Sequence, residues 1–192
     1  MALLILGLVL FLGVHSIQIF ASDWRRRQIA RLGEGPWKGL YALASLIGLV
    51  VIVVGFGAAR MNPVLLYAPP AWLRHFNSVF TLIAFVLVAA AYVPRNHFKQ
   101  RIGHPMLAGV KAWALGHLLS IGMLCDVVLF GPFLAWAILD FAASRRRDRA
   151  AGTLYPAGTL TGDILTVVVG VIVWAVVAFW LHQLLIGMNP LA

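Results

Sequence analysis

Apolar residues along this chain gather into six long blocks, separated by short polar or basic stretches. The blocks cover 2–22, 39–59, 73–93, 104–121, 122–143 and 161–187. A helix needs about 20 apolar residues to cross a bilayer. Inside hydrocarbon it must satisfy its own backbone hydrogen bonds, so all six blocks are expected as helices. The fourth and fifth blocks nearly touch, and Ser120-Ile121-Gly122 predicts a tight reversal between them. The first block has no basic residue ahead of its apolar run, and Arg25-Arg26-Arg27 follow it. It therefore reads as a retained helix rather than a signal peptide.

Composition fixes the solvent. Of the 192 residues, 62% are hydrophobic and 11% charged, and the mean hydropathy is +0.93. A soluble domain is about half apolar and about a quarter charged. Soluble globular proteins, disordered tails and nucleic-acid binders with a hydrated surface are excluded, so no nucleic-acid partner is expected. The expected class is all-α: one domain over 1–192, a polytopic membrane helix bundle with about six transmembrane helices and the lipid bilayer as partner.

The net charge of +9 is a topology signal. Arg25, Arg26, Arg27, Arg31 and Lys38 fall between the first two blocks. Arg95, Lys99 and Arg101 follow the third, and Arg145, Arg146, Arg147 and Arg149 follow the fifth. Basic loops stay cytoplasmic, so the three loops are expected inside and both termini outside, periplasmic if the membrane is a bacterial inner membrane. Trp24, Trp37, Tyr67, Trp72, Tyr92 and Tyr155 fall near block ends, as an aromatic belt does. Ala44-x-x-x-Gly48 and Gly55-x-Gly57 offer small-residue faces for close helix packing. The single cysteine, Cys125, excludes an internal disulfide and a multi-cysteine metal site.

Polar groups inside the blocks are the candidates for function, because each is costly there. They are His15, Lys111, His117, Asp126, Asp140 and His182, with His75 and His104 at block edges and His97 in a loop. Imidazole is a common metal ligand and the usual proximal ligand of haem iron. A haem needs one or two such rings in an apolar pocket, whereas a bare metal site here would have to be built on histidines alone. The plain alternative, the default for any single ring, is a histidine that hydrogen-bonds a neighbouring helix.

Depth limits the pairings. His104 and His117 lie about 20 Å apart along one helix and cannot share a ligand. His15 falls toward the inner end of its block and His117 in the outer third, so His117 also suits His75 or His182 on depth. Lys111 in the fourth block either pairs with Asp140 of the fifth, as a structural ion pair, or snorkels. Asp126, near an outer end, is expected to be solvated. Gly103-His104-Pro105-Met106 reads as a helix start, since proline suits the first turn. Its functional reading puts His104 in a polar site at the cytoplasmic face.

Several stretches then become familiar. Gly13-Val14-His15-Ser16, Arg31-Leu32-Gly33-Glu34-Gly35 and Pro69-Pro70-Ala71-Trp72-Leu73-Arg74-His75 are three of them. A long run from His104-Pro105 through Lys111 to His117-Leu118-Leu119 is another, and Leu129-Phe130-Gly131-Pro132-Phe133-Leu134-Ala135-Trp136-Ala137 with Asp140 follows. Together they resemble the NnrU family over about the first 150 residues, the last block matching in general character. That family is tied to nitrite and nitric oxide metabolism in denitrifying bacteria. The plant and cyanobacterial ζ-carotene isomerase, a membrane enzyme with histidine-ligated haem b, looks like a relative. Its His-Ser pair is similar to His15-Ser16, and its HP-x(11)-H spacing to His104-Pro105 through His117. The resemblance implies haem b with His15 and His117 as axial ligands. His75, by its depth, and His104, by its polar surroundings, are the further cofactor-binding candidates. Ala114 stands where the isomerase has a cysteine, which removes any thiol ligand switch. The His-Pro run also resembles isoprenylcysteine methyltransferases, but Gly103 replaces their arginine, and the last block lacks the acidic residues of their S-adenosylmethionine site.

Three functions follow as expectations. The first is a haem-b membrane protein of nitrite and nitric oxide metabolism. The second is a haem-dependent isomerase of a carotenoid-like polyene, an apolar substrate entering from the lipid. The third is a non-enzymatic accessory or transport subunit working with other membrane subunits of a denitrification complex.

Overall fold

The computed structural model describes residues 1–187 as a bundle of helices. In chain order these are α1 (Ala2–Phe20), α2 (Ser22–Leu32), α3 (Glu34–Arg60), α4 (Trp72–Tyr92), α5 (His97–Ile102), α6 (Pro105–Ser120), α7 (Leu124–Ala151) and α8 (Leu160–Val176). A π-helical turn at Val177–Leu181 joins α8 to α9 (His182–Ile186). Among the described residues, five helical stretches are long and apolar enough to cross a membrane: α1, α3, α4, α7 and the continuous run Leu160–Ile186. The fourth block forms the sixth helix, α6, whose 16 residues rise about 24 Å against a hydrocarbon core of about 30 Å.

Local chemistry sets the boundaries. Pro105 opens α6 at its first turn, where a missing N–H costs nothing, and Gly103 turns the chain into it with φ +78. The reversal after α6 is strapped from outside by the 61–71 loop. Leu66 N–H donates to Gly122 O at 2.8 Å and Leu124 N–H to Val64 O at 2.8 Å. A side chain at Gly122 would run into the Tyr67 carbonyl, so glycine is required there.

Two stretches expected as loops are helical. The polar run after α1 forms α2, which ends where Gly33 takes φ 84. The fifth block continues past residue 143 to Ala151, because arginine is a good helix former and nothing interrupts the helix before Gly152, which caps it in the left-handed conformation.

Packing orders the long helices as α3, α1, α7, α6, α4 and α8 across the bundle. The α1–α3 seam is close, as the small-residue face predicts. A Cβ at Gly48 would lie 2.9 Å from the Phe11 backbone nitrogen, and one at Gly55 would overlap the Leu4 backbone, whereas Gly57 faces open space. Outward faces carry large exposed apolar side chains such as Leu40, Leu43, Val54, Ile172 and Trp180, as lipid-facing surfaces do. The three basic loops share one end of the bundle. Thr159 N–H donates to Arg95 O at 2.7 Å, and Arg145 Nη1 reaches Ile102 O at 3.5 Å. The 61–71 loop and the α6–α7 reversal occupy the opposite end.

Candidate intramembrane histidine sites

His117 projects from the last turn of α6. Its Nδ1 lies 2.8 Å from the carbonyl oxygen of Trp113, one turn back. A carbonyl only accepts, so Nδ1 carries the hydrogen, and in the neutral ring Nε2 keeps a bare lone pair. One ring face stacks on Phe130 of α7 at 4.3 Å, and the residue is 8% exposed. His117 borders a cavity of about 80 Å³ between α4, α6 and the C-terminal helix, lined also by Asn77, Thr81, Trp174, Ala178 and His182. Trp174 Nε1 donates to Thr81 Oγ1 at 3.1 Å, and Thr81 in turn donates to Ser78 O at 3.0 Å. Asn77 Oδ1 is buried without a hydrogen-bond partner. It rests against Gly116, where a Cβ would come within 2.6 Å of it.

His15 stands in similar local chemistry on α1. Its Nδ1 lies 2.7 Å from Phe11 O, which again leaves Nε2 as the lone-pair atom. Its surroundings are different. Phe11 stacks on it at 4.2 Å, while Tyr41 and Trp136 present edges at 5.3 Å and 5.9 Å. Trp136 Nε1 and Gln18 Oε1 are buried without partners. The three buried side-chain polar atoms lacking a partner among the described residues therefore belong to Asn77, which borders the His117 cavity, to Trp136, whose ring meets His15, and to Gln18, one turn on from His15.

The two rings do not face each other. His117 stacks on Phe130 and His15 meets Trp136, positions about 9 Å apart along α7. Between them runs a line of touching rings: Phe11 to Phe133 at 5.7 Å, Phe133 to Trp113 at 5.5 Å and Trp113 to His117 at 5.5 Å. Two imidazole nitrogens on one metal atom would be about 4 Å apart, at about 2 Å per bond. Among the described residues, no ring contact joins His15 to His117 directly. The donor chemistry of each ring suits haem iron, and His117 shares its cavity with His182. That cavity as it stands has room for a few heavy atoms rather than a porphyrin.

The remaining candidates separate. His75 is exposed in the first turn of α4 and joins neither cluster. His104 lies at the basic end, its Nε2 2.8 Å from Asp148 Oδ2. Tyr155 donates to the same carboxylate oxygen at 2.8 Å, and burial followed by that bond raises its hydroxyl to about 12. The polar site expected around His104 is therefore present, tying the start of α6 to the extension of α7. His97 is similarly bound to Asp163, 2.7 Å from Nδ1 to Oδ2.

Two expectations are corrected. Lys111 and Asp140 do not pair: Lys111 Nζ sits 3.6 Å above the Phe141 ring, while Asp140 meets Arg147 at 3.5 Å and accepts from Ser144 at 3.3 Å. Neighbouring residues on a helix point about 100° apart, so Phe141 faces α6 and Asp140 faces away. Asp126, expected in solvent, is 6% exposed and accepts from Cys125 Sγ at 3.6 Å. Reading only ionisable groups in the blocks missed Gln18, Asn77, Thr81, Trp136 and Trp174. The signal available was any amide or indole inside an apolar block.

Fold and sites together define a polytopic α-helical membrane protein with imidazoles embedded between its helices. A family model described as NnrU protein matches residues 3–190, and the chain belongs to that family. The match takes in the last helix, beyond the roughly 150 residues over which the resemblance was expected. No curated protein and no solved structure matches the chain.

Proposed function

We propose that this protein serves nitrite and nitric oxide metabolism from within a bacterial inner membrane, and that it holds haem b on the Nε2 atom of His117. The basic end then faces the cytoplasm, as positively charged loops do, and both termini lie outside. The observation that carries this reading is the His117 ring itself: Nδ1–H anchored to Trp113 O and a lone pair at Nε2, beside a cavity that also holds His182. A ligating histidine is usually oriented by a hydrogen bond from its other nitrogen.

When bound, haem supplies redox and diatomic-ligand chemistry. The chain's own part is to fix the imidazole, exclude water with Phe130 and Trp174, and keep the surroundings apolar. Since the cavity is smaller than the ring, the reading requires α4 and the C-terminal helix to part on loading. The π-helical turn Val177–Leu181 lies on that seam, and such turns recur at functional sites.

An absorption spectrum of detergent-purified protein after haem-replete expression tests it. A Soret band that His117→Ala removes and His15→Ala retains is the expected result. A colourless preparation, or a band indifferent to His117→Ala, overturns it.

A further inference from the structure

The basic end of the bundle holds an open cavity that the haem reading leaves unused. Its volume is about 290 Å³, and it is lined by His97, Phe98, Arg101, Ile102 and Asp163, where α5 meets the first turn of α8. Small-molecule sites begin at about 300 Å³, so there is room for a compact headgroup. Short bonds fix the walls. Thr159 N–H donates to Arg95 O at 2.7 Å, Gly158 N–H to Gln100 Oε1 at 2.8 Å, and His97 N–H to Asp163 Oδ1 at 2.7 Å. A Cβ at Gly158 would lie 2.5 Å from the His97 backbone nitrogen, and one at Gly162 2.3 Å from Arg95 O. The 157–163 segment therefore sits hard against 94–97, and the cavity is built rather than left between loose side chains.

Charge decides what fits. The five carboxylates toward this end are all engaged: Asp23 with Arg26, Glu34 with Lys38, Asp140 with Arg147, Asp148 with His104 and Asp163 with His97. Both oxygens of Asp163, the one acid in the lining, accept from His97. Lys99 Nζ is taken up by Ala91 O at 2.9 Å. Arg101 is exposed and acts on Asp163 electrostatically, yet among the described residues no hydrogen bond or salt bridge holds its guanidinium. Arg145 brings a second guanidinium beside the lining, 3.5 Å from Ile102 O. Two guanidiniums against one acid leave a net positive site, and a guanidinium pairs bidentately with phosphate. Phe98 and Ile102, four residues apart on α5, add an apolar side that a soluble anion does not need. The cavity also lies where α4 ends and α8 begins, at headgroup level, and basic pockets between helices at that level suit anionic lipids. A choline or ethanolamine headgroup would bring another cation into a site already in excess of them. We infer that this cavity receives the phosphate of an anionic phospholipid, held by Arg101, with the acyl chains leaving past Phe98 and Ile102.

The inference goes beyond the haem reading and is tested without haem. Full-length protein purified free of haem in a neutral detergent is titrated with phosphatidylglycerol, and bound lipid is counted by native mass spectrometry. The titration is made at about 0.15 M salt, where charges beyond about 8 Å are largely screened. Saturable retention of phosphatidylglycerol in preference to phosphatidylcholine is expected. Arg101→Gln should weaken it about tenfold, the worth of a charge-assisted hydrogen bond. Arg146→Gln removes the same charge from an exposed position outside the cavity lining and should change retention less than about twofold. On the unaltered protein, a photoreactive phosphatidylglycerol should label α5 or the 158–163 segment. An excess of glycerol phosphate, the headgroup without chains, should leave the lipid bound. Equal retention of the two lipids, equal loss in the two variants, displacement by glycerol phosphate, or labelling confined to other segments each overturns the inference. Failure of the Soret experiment leaves this result standing, and the converse holds.

Discussion

His15 and His117 make one local bond and live in two different places. Each ring donates from Nδ1 to the carbonyl four residues back, so each presents Nε2 outward. His15 is caged by three aromatic rings at the tightly packed α1–α3 side. His117 has one stacked ring and an open cavity at the α4–α8 side. The helix backbone decides how an embedded imidazole presents its nitrogen. The neighbouring helices decide what that nitrogen can hold.

The packing side of the comparison carries the largest expected effect. Gly55→Leu would force α1 off α3, where even a Cβ overlaps the Leu4 backbone. A loss of about 3 kcal/mol or more is expected, read as a large drop in thermal midpoint in detergent. The equivalent change at Gly57, which faces open space, should leave the midpoint within about 0.5 kcal/mol.

Next comes the ligand side. His117→Ala should lower haem retention about tenfold or more, the scale on which metal-site partners act, as measured by Soret absorbance per protein. His15→Ala should leave that absorbance near its original value, and an equal loss in both would join the two clusters into one site. Asn77→Leu removes a buried oxygen that has no partner. It should raise stability by about 1 kcal/mol, seen as a higher midpoint of the ligand-free protein, and a lower midpoint would mean that the oxygen is already engaged. The smallest effect is expected outside both clusters. Asp148→Ala strips His104 and Tyr155 of their shared acceptor and should cost about 1 kcal/mol without changing any Soret band.

Much of the architecture was legible in the order of residues, because the bilayer imposes its solvent on every turn of each block. Six apolar blocks became helices, and the break at 120–122 became a reversal. The Gly48 face became a close seam, and the basic stretches gathered at one end. Helix ends were less legible: the basic run after residue 143 stayed helical until Gly152, since arginine itself does nothing to stop a helix. Candidate histidines could be named, but their partners could not. Lys111 and Asp140 stood at similar depth yet point to different neighbours, because depth follows from position along a helix and facing from rotation about it. The amides and indoles that complete both clusters, Gln18, Asn77, Trp136 and Trp174, carry no periodic mark in the chain.

Taken alone, the amino-acid order determined the environment, the helical class and the family, since hydropathy and local motifs are properties of contiguous residues. Only the tertiary structure decided that His117 shares a cavity with His182, that His15 is enclosed with Trp136, and that a line of aromatic rings keeps the two apart. Those facts depend on which faces of α1, α4, α6, α7 and α8 meet. The physical reason is that packing between helices is settled by shape and small residues at their contacts, summed over the whole bundle, and no single segment contains that sum.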